Sequence, residues 1–495
     1  MSRQRRMMAH PSGRRIPPRW ATWERMTDEE PNLRKRSRWP FAIAALITIG
    51  VVITVIGVIY WRDSKSDSSF GPRVSWQPSN QIVLKSSMSV RPVSGWRLGA
   101  ADLSLPEGIR FSTDDMPIHS RPLIGNIGDR AFLLARTLGS PTEWWLAGVD
   151  VSDGQRLFPA IQLNTGSRPE CFLNGPDAVL CLTSELANRT AWVIDSHTGV
   201  VTYTGPTDLD VQPNDLNVEQ VGIYAVAQTV DQGVYGVGPR ANTTWFVPGA
   251  GDASPKYLNT LDTDPPGLGF QTTSGRGSFG KIVFSLSDGR VIRPHVPAGA
   301  EQQDTLLYPG GFGARIASNG DDEIQLFDDN GNRSAPRPVV GQFPTTKGFF
   351  DLPIISVHDV SHGWVAITPR GELVFAAPKD SGGPVRFIGS RLIINASEFS
   401  TRGWAQYDTR SGSWGKRCTN LDLDFGYLGY DGRVAVTRDG NQTIGLDTEA
   451  TDLDTCERLW VISSAPGVWR DVWRINTTLV QLSDDGTELT SLVAP

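Results

Sequence analysis

The chain has 495 residues, with 47 Lys and Arg against 53 Asp and Glu for a net charge of −6, and it is rich in Gly (51), Pro (34) and Trp (16). That length supports a large core, in one barrel- or propeller-sized unit or in two smaller domains. The acidic balance argues against polyanionic partners, so nucleic acid is not expected as a ligand.

Residues 1–40 carry eleven Lys or Arg against four acidic residues and show no apolar periodicity. They read as a disordered basic tail. The cluster Arg34-Lys35-Arg36-Ser37-Arg38 fits a topology determinant lying against anionic lipid better than a nucleic-acid site. Residues 41–60 (FAIAALITIGVVITVIGVIY) contain no charge. As a helix they would span about 30 Å, the thickness of a bilayer's hydrocarbon core. Trp39, Tyr60 and Trp61 stand where aromatic rings sit at the two lipid–water interfaces.

The tail's net +7 and the net −13 after the apolar run place the N-terminus in the cytoplasm and the remainder outside. The run is too long, and too far from the N-terminus, for a cleaved secretion signal, and bulky residues follow it. The expected layout is therefore a single-pass cell-membrane protein. Residues 41–61 are its signal anchor and its contact with the bilayer core, residues 62–80 a polar tether, and residues 81–495 an extracytoplasmic domain.

Beyond Trp61 long helical periodicity is missing. Short β-branched and aromatic runs bounded by Gly, Asp, Asn and Pro take its place, which predicts an all-β domain. Residues 81–111 hold short apolar runs that supply an opening strand. The four cysteines, Cys171, Cys181, Cys418 and Cys456, all fall on the outer, oxidising side, and none is spaced as a zinc motif. Of three possible pairings one is favoured. Cys171 and Cys181 flank the turn Asn174-Gly175-Pro176-Asp177 symmetrically, which leaves Cys418 for Cys456.

From about residue 121 the chain repeats itself. WLAGVDVSDGQRLF, WVIDSHTGVVTY and WAQYDTRSGSW each give an apolar strand, Asp-x-x-x-Gly, and a second strand. The pairs are Asp150 with Gly154, Asp195 with Gly199, and Asp408 with Gly412. In such a turn the Asp side chain accepts backbone N–H bonds and the Gly takes a positive φ. Weaker versions end at Gly289, Gly331, Gly371 and Gly486. Two double-length gaps imply further turns near residues 245–250 and 447–450. A period of 40–45 residues with four short strands per unit predicts a β-propeller of four-stranded blades.

These units resemble the quinoprotein-type (PQQ-like) propeller repeat, an aliphatic strand followed by Asp, three variable residues and Gly. Asp408 to Trp414 matches it best, including the Trp that closes the next strand. The resemblance implies eight blades, with seven to nine possible; since nine turn candidates can be counted, either one is miscounted or the last unit (477–493) pairs with the opening strand to close the ring. Catalytic members of that family stack a quinone on two adjacent cysteines, and no two cysteines are adjacent here. The chain thus looks like the non-catalytic branch, with no cofactor expected.

Three further strings invite catalytic or metal readings. Asp380-Ser381-Gly382-Gly383-Pro384 resembles the nucleophile loop of trypsin-like proteases, with His197 as the candidate base. The stretch from Gly275 to Lys281 resembles a phosphate-binding loop but has Ile282 in place of the Ser or Thr that holds magnesium. Asn420, Asp422 and Asp424, and the pair Asp208 and Asp210, lack the glycine of a calcium loop. The reading carried forward is a binding or scaffolding platform for a cell-envelope protein or polymer. Its alternatives are a protease using Ser381 and His197 or an oxidoreductase in the propeller funnel.

Overall fold

A computed structural model describes residues 71–495, apart from 115, 117–120, 184–188, 213–215, 256–261, 274–279, 297–298, 319–320, 344–348, 358–361, 380, 396–402, 420–422, 424–425 and 442. The basic tail, the apolar segment 41–61 and residues 62–70 of the tether lie outside the described residues. Among those described, no helix is long and apolar enough to cross a membrane.

The strands form nine antiparallel sheets. Blade 1 runs from Leu123–Ile127 to Gln155–Leu163, with a two-residue extension at Ile109–Arg110. Blade 2 runs from Pro169–Leu173 to Val201–Pro206, and blade 3 from Asn217–Val221 to Thr243–Pro248. Blade 4 (Leu268–Thr272 to Val291–Ile292) and blade 6 (Ile354–Ser356 to Leu373–Pro378) show three strands. Their innermost positions are held by single bridges, Ser254 to Phe270 and Gln342 to Ser356. Blades 5, 7 and 8 begin at Glu301–Tyr308, Pro384–Ile388 and Tyr427–Tyr430.

Blade 9 takes three strands from the C-terminus (Val472–Ile475, Thr478–Leu482, Leu489–Val493) and its outer strand, Val93–Leu98, from the other end of the domain. Val93 pairs with Val493 and Leu98 with Leu489, which closes the ring. The ring therefore has nine blades and not the favoured eight. The favoured eight rests on the resemblance, while the turn spacing offers nine candidates. Each of the first eight blades joins its third and fourth strands by a turn, whereas in blade 9 the chain ends replace that turn. Gly486 lies between the second and third strands of blade 9, out of phase with the others.

Six of the eight turns carry a glycine, at 154, 199, 289, 331, 371 and 412, with φ between +70° and +83°. The two gaps in the series are filled at residues 241 and 456, a few positions from where spacing put them. Ala241 (φ +48°) and Cys456 (φ +60°) hold the left-handed position themselves. Asp452 accepts the N–H groups of Asp454 and Thr455 on its side chain and that of Cys456 on its carbonyl. Asp195 does the same for His197, Thr198 and Gly199, and Asp408 for Arg410, Ser411 and Gly412. At Asp150 the partners are Ser152 and Gly154.

The glycine does a second job. A Cβ at Gly154 would lie 2.5 Å from the Trp96 indole, one at Gly199 would run into the Phe158 ring, and one at Gly289 would lie 2.6 Å from Trp245. Each of those side chains belongs to the outer strand of the preceding blade. Ile292 stands over Gly331 in the same way. The missing side chain is what lets one blade seat on the next. At the joint between blades 7 and 8 the seat is covalent, because Cys418 at the edge of blade 7 is bonded to Cys456. The other disulfide, Cys171–Cys181, crosses the first hairpin of blade 2, where the two residues pair directly.

The apolar core is divided among these joints. Phe132, Leu146 and Phe158 of blade 1, for example, pack with Leu173, Val179 and Trp192 of blade 2. Middle strands such as Arg130–Thr137 are buried on both faces, with a neighbouring blade on each side.

Two changes test the joints by equilibrium unfolding. Gly199→Ala should cost about 2–4 kcal/mol in the native background. In a Phe158→Ala background it should cost only its left-handed strain, about 1 kcal/mol, and equal costs in both would refute the seat. Replacing Cys418 and Cys456 together by Ser should cost about 2–4 kcal/mol.

Candidate functional site

Antiparallel order puts the turns between strands one and two, and between strands three and four, on the same face of the ring. The N-terminal segment 71–92 lies across that face as a strap. Val74 donates to the Leu373 carbonyl of blade 6, and Trp76 to that of Thr409 in blade 7. The Arg73 guanidinium donates to the Thr409 carbonyl at 2.9 Å and stands over Gly412. Further along, Ile82 donates to Asp262, Leu84 to Tyr430 of blade 8, and Lys85 to Thr477 of blade 9. Met88 is buried between blades 8 and 9, where its carbonyl accepts the Trp460 indole N–H at 2.7 Å. The strap then becomes the closing strand.

Beneath the strap, side chains from separate blades meet. Asp262, in the first loop of blade 4, pairs with Arg474 of blade 9 at 2.5 Å and accepts the Tyr427 hydroxyl of blade 8 at 2.5 Å. Both ionic side chains are 3% exposed. Arg386 of blade 7 lies 4.3 Å from the Tyr427 ring centre. Arg474 also donates to the Ile82 carbonyl of the strap. Burial pushes the Asp262 carboxyl up, against the opposing charge of Arg474, and pushes the Tyr427 hydroxyl well above its usual range. Asp351, in the first loop of blade 6, is raised to about 7 by burial and by the nearby Asp262 charge, with Arg386 pulling it back. A buried ion pair of this kind is costly to break, because the surviving charge is left without a partner.

Beside this network the same face holds a cavity of about 560 Å³. Its walls are strap residues 76–80, the blade 4 loop 263–268, turns of blades 4 and 5, Pro369 of blade 6, and the loop bearing Phe349, Asp351 and Leu352. Asp264, Arg290 and Asp329 are exposed at its mouth, while Thr263 is buried and Asp351 half-buried. Its size is that of ligand pockets in general.

The residues that the sequence nominates for catalysis do not meet. His197 sits in the third turn of blade 2, its ring 3.3 Å from the Asp177 carboxylate. Ser381 lies in the link between blades 6 and 7, its hydroxyl donated to the Pro378 carbonyl at 2.6 Å. That link emerges on the opposite face of the ring. Asp380, Asn420, Asp422, Asp424 and residues 275–279 lie outside the described residues. Asp210 pairs with Arg189 at 2.6 Å. Asp150, Gly154, Asp195, Gly199, Asp408 and Gly412 are turn residues of blades 1, 2 and 7. Sequence reasoning does not single out the residues of the axial network. The one local signal is a charge inside an inner strand, Arg386 in PVRFI and Arg474 in VWRI.

The Asp351 shift predicts how stability depends on pH. Unfolded, this carboxyl ionises near 4; folded, near 7. Between those values the folded chain holds the extra proton, so stability falls as pH rises from about 4 to about 7 and then levels. Asp351→Asn, which mimics the protonated form, should melt close to wild type at pH 4. At pH 8 it should be more stable by about 1–3 kcal/mol. A difference that does not change with pH would contradict the assignment.

Comparisons with known proteins agree with the blade count. A family described as the conjugation-associated 9-bladed beta-propeller domain matches residues 68–495. An uncharacterized protein of Mycolicibacterium smegmatis strain MKD8 is 35% identical over 475 residues, covering 92% of this chain and 96% of the relative. Among solved structures, a eukaryotic initiation factor (TM-score 0.41, 11% identity) covers 79% of this chain and 96% of its own. BamB from Moraxella catarrhalis (0.27, 11%) covers 81% and 100%. With nine sheets closed by the Val93–Leu98 strand and that match across the whole propeller, the chain belongs to the family of conjugation-associated nine-bladed β-propellers.

Proposed function

We propose that this protein is a single-pass, membrane-anchored, non-catalytic scaffold. Its propeller stands outside the cell and holds a protein partner in a conjugation-associated envelope assembly. The family description supplies the biological setting, and the uncharged run at 41–60 with its flanking charge asymmetry supports the anchor. The observation that carries the reading is the strap-side cavity, since turns and loops held by a rigid ring make a binding face. The separation of His197 from Ser381 speaks against proteolysis. The lack of adjacent cysteines, all four being tied in disulfides, speaks against the quinone chemistry of the PQQ-like repeat.

The test has two parts. Alkaline phosphatase fused after Pro495 should be active and fused after Trp39 inactive, and the reverse would overturn the topology. A photo-crosslinking residue at Asn80 or Asn330 on the strap face should yield a discrete adduct in conjugating cells, and one at Val230 on the opposite face should not. Deletion of the gene should lower transfer frequency, with recovery on complementation. Unchanged transfer together with no adduct from either face would overturn the scaffold reading.

A further inference from the structure

The cavity's chemistry narrows the partner. Five of its wall residues are prolines, among them Pro265 and Pro266, and each removes a backbone N–H donor while keeping its carbonyl acceptor. Three carboxyl groups, Asp264, Asp329 and Asp351, face one guanidinium, Arg290. Arg290 also lies beside Asp288, whose carboxylate is held down by the Ser285 hydroxyl first and then by the Arg290 backbone N–H and charge. The wall is therefore rich in acceptors and net negative. Such a surface repels anionic polymers and suits a group with many donors and a positive charge.

A second feature of the same space is aromatic. Trp76 supplies an apolar flank, held in place edge-on to Phe387 at 4.9 Å. An aromatic ring beside carboxylates is a setting that favours a guanidinium or ammonium group.

We propose that the cavity receives an arginine- or lysine-bearing segment of the protein partner. Its cation meets Asp264 and Asp329 at the mouth. This rests on the scaffold reading and adds the chemistry of what is held. Arginine fits better than lysine, because five N–H groups in a fixed plane can meet carboxylates and carbonyls together.

The experiment uses the full-length protein in detergent and capped pentapeptides of Gly and Ala with a central Arg, Lys, Gln or Glu, titrated calorimetrically. The Arg peptide should bind at least about tenfold tighter than the Gln peptide, with Lys between them and Glu weakest. Added salt should weaken the Arg peptide. Asp264→Asn with Asp329→Asn should weaken it about tenfold. An unchanged melting curve would show that this variant is folded.

Equal affinity for Arg and Gln peptides, or indifference to the Asp264 and Asp329 changes, would overturn the cationic assignment. So would tight binding of spermidine with no binding of the Arg peptide, because the occupant would then be a small polyamine. If no peptide binds while Asn80 and Asn330 still crosslink a partner in cells, this inference fails and the scaffold stands. If crosslinking fails as well, both fall.

Discussion

The structure depends on one packing constraint. In a closed ring every blade must rest on the next at a fixed angle, and four of the nine joints meet that demand at one place. The outer strand of one blade lays a bulky side chain over the glycine that ends the next blade's third turn. Trp96, Phe158, Trp245 and Ile292 do this over Gly154, Gly199, Gly289 and Gly331. The conformation and the contact want the same residue. A left-handed φ is inexpensive only for glycine, and only glycine leaves room for the ring above it. The repeat is thus a record of joints as much as of turns.

This double requirement explains how much of the fold could be read from sequence. Where both demands fall on glycine, the spacing is plain, and a propeller follows from it. Where the neighbour does not need the space, another residue can hold the left-handed seat and the signal disappears. Ala241 sits in an apolar cluster with Tyr203, and Cys456 is joined to the very strand that would have packed on it. Blade count went astray because eight came from the resemblance: the spacing offers nine candidates, though Gly486, counted among them, lies in a different turn of the closing blade, whose fourth strand comes from residues 93–98. Pairings between the two ends of a chain leave no local pattern.

The axial network was illegible for a different reason. Asp262 and Arg474 are 212 residues apart and come from blades 4 and 9, with Tyr427 and Arg386 from blades between them. What brings them together is the ring itself, since every inner strand runs along the same axis. Nothing in the neighbourhood of any one of them announces the others. The cavity shares this origin. Its walls come from the strap and three blades, and its acceptor-rich character appears only when Pro265, Pro309 and Pro369 are seen to face one space.

The strap ties these features into one mechanical unit. It enters over blades 6 and 7, where Arg73 takes the place above Gly412 that a neighbouring blade fills elsewhere. It then walls the cavity with residues 76–80, hands its Ile82 carbonyl to Arg474, buries Met88 and ends as the strand that closes blade 9. The backbone that shapes the binding space is therefore the same backbone that shuts the ring. A segment displaced from the cavity side would draw on the Arg474 contact and on the Val93–Leu98 pairing, both of which resist. The cavity is consequently walled by backbone tied into the ring at both ends, which suits the proposed partner's presenting its own flexible segment to a preformed site.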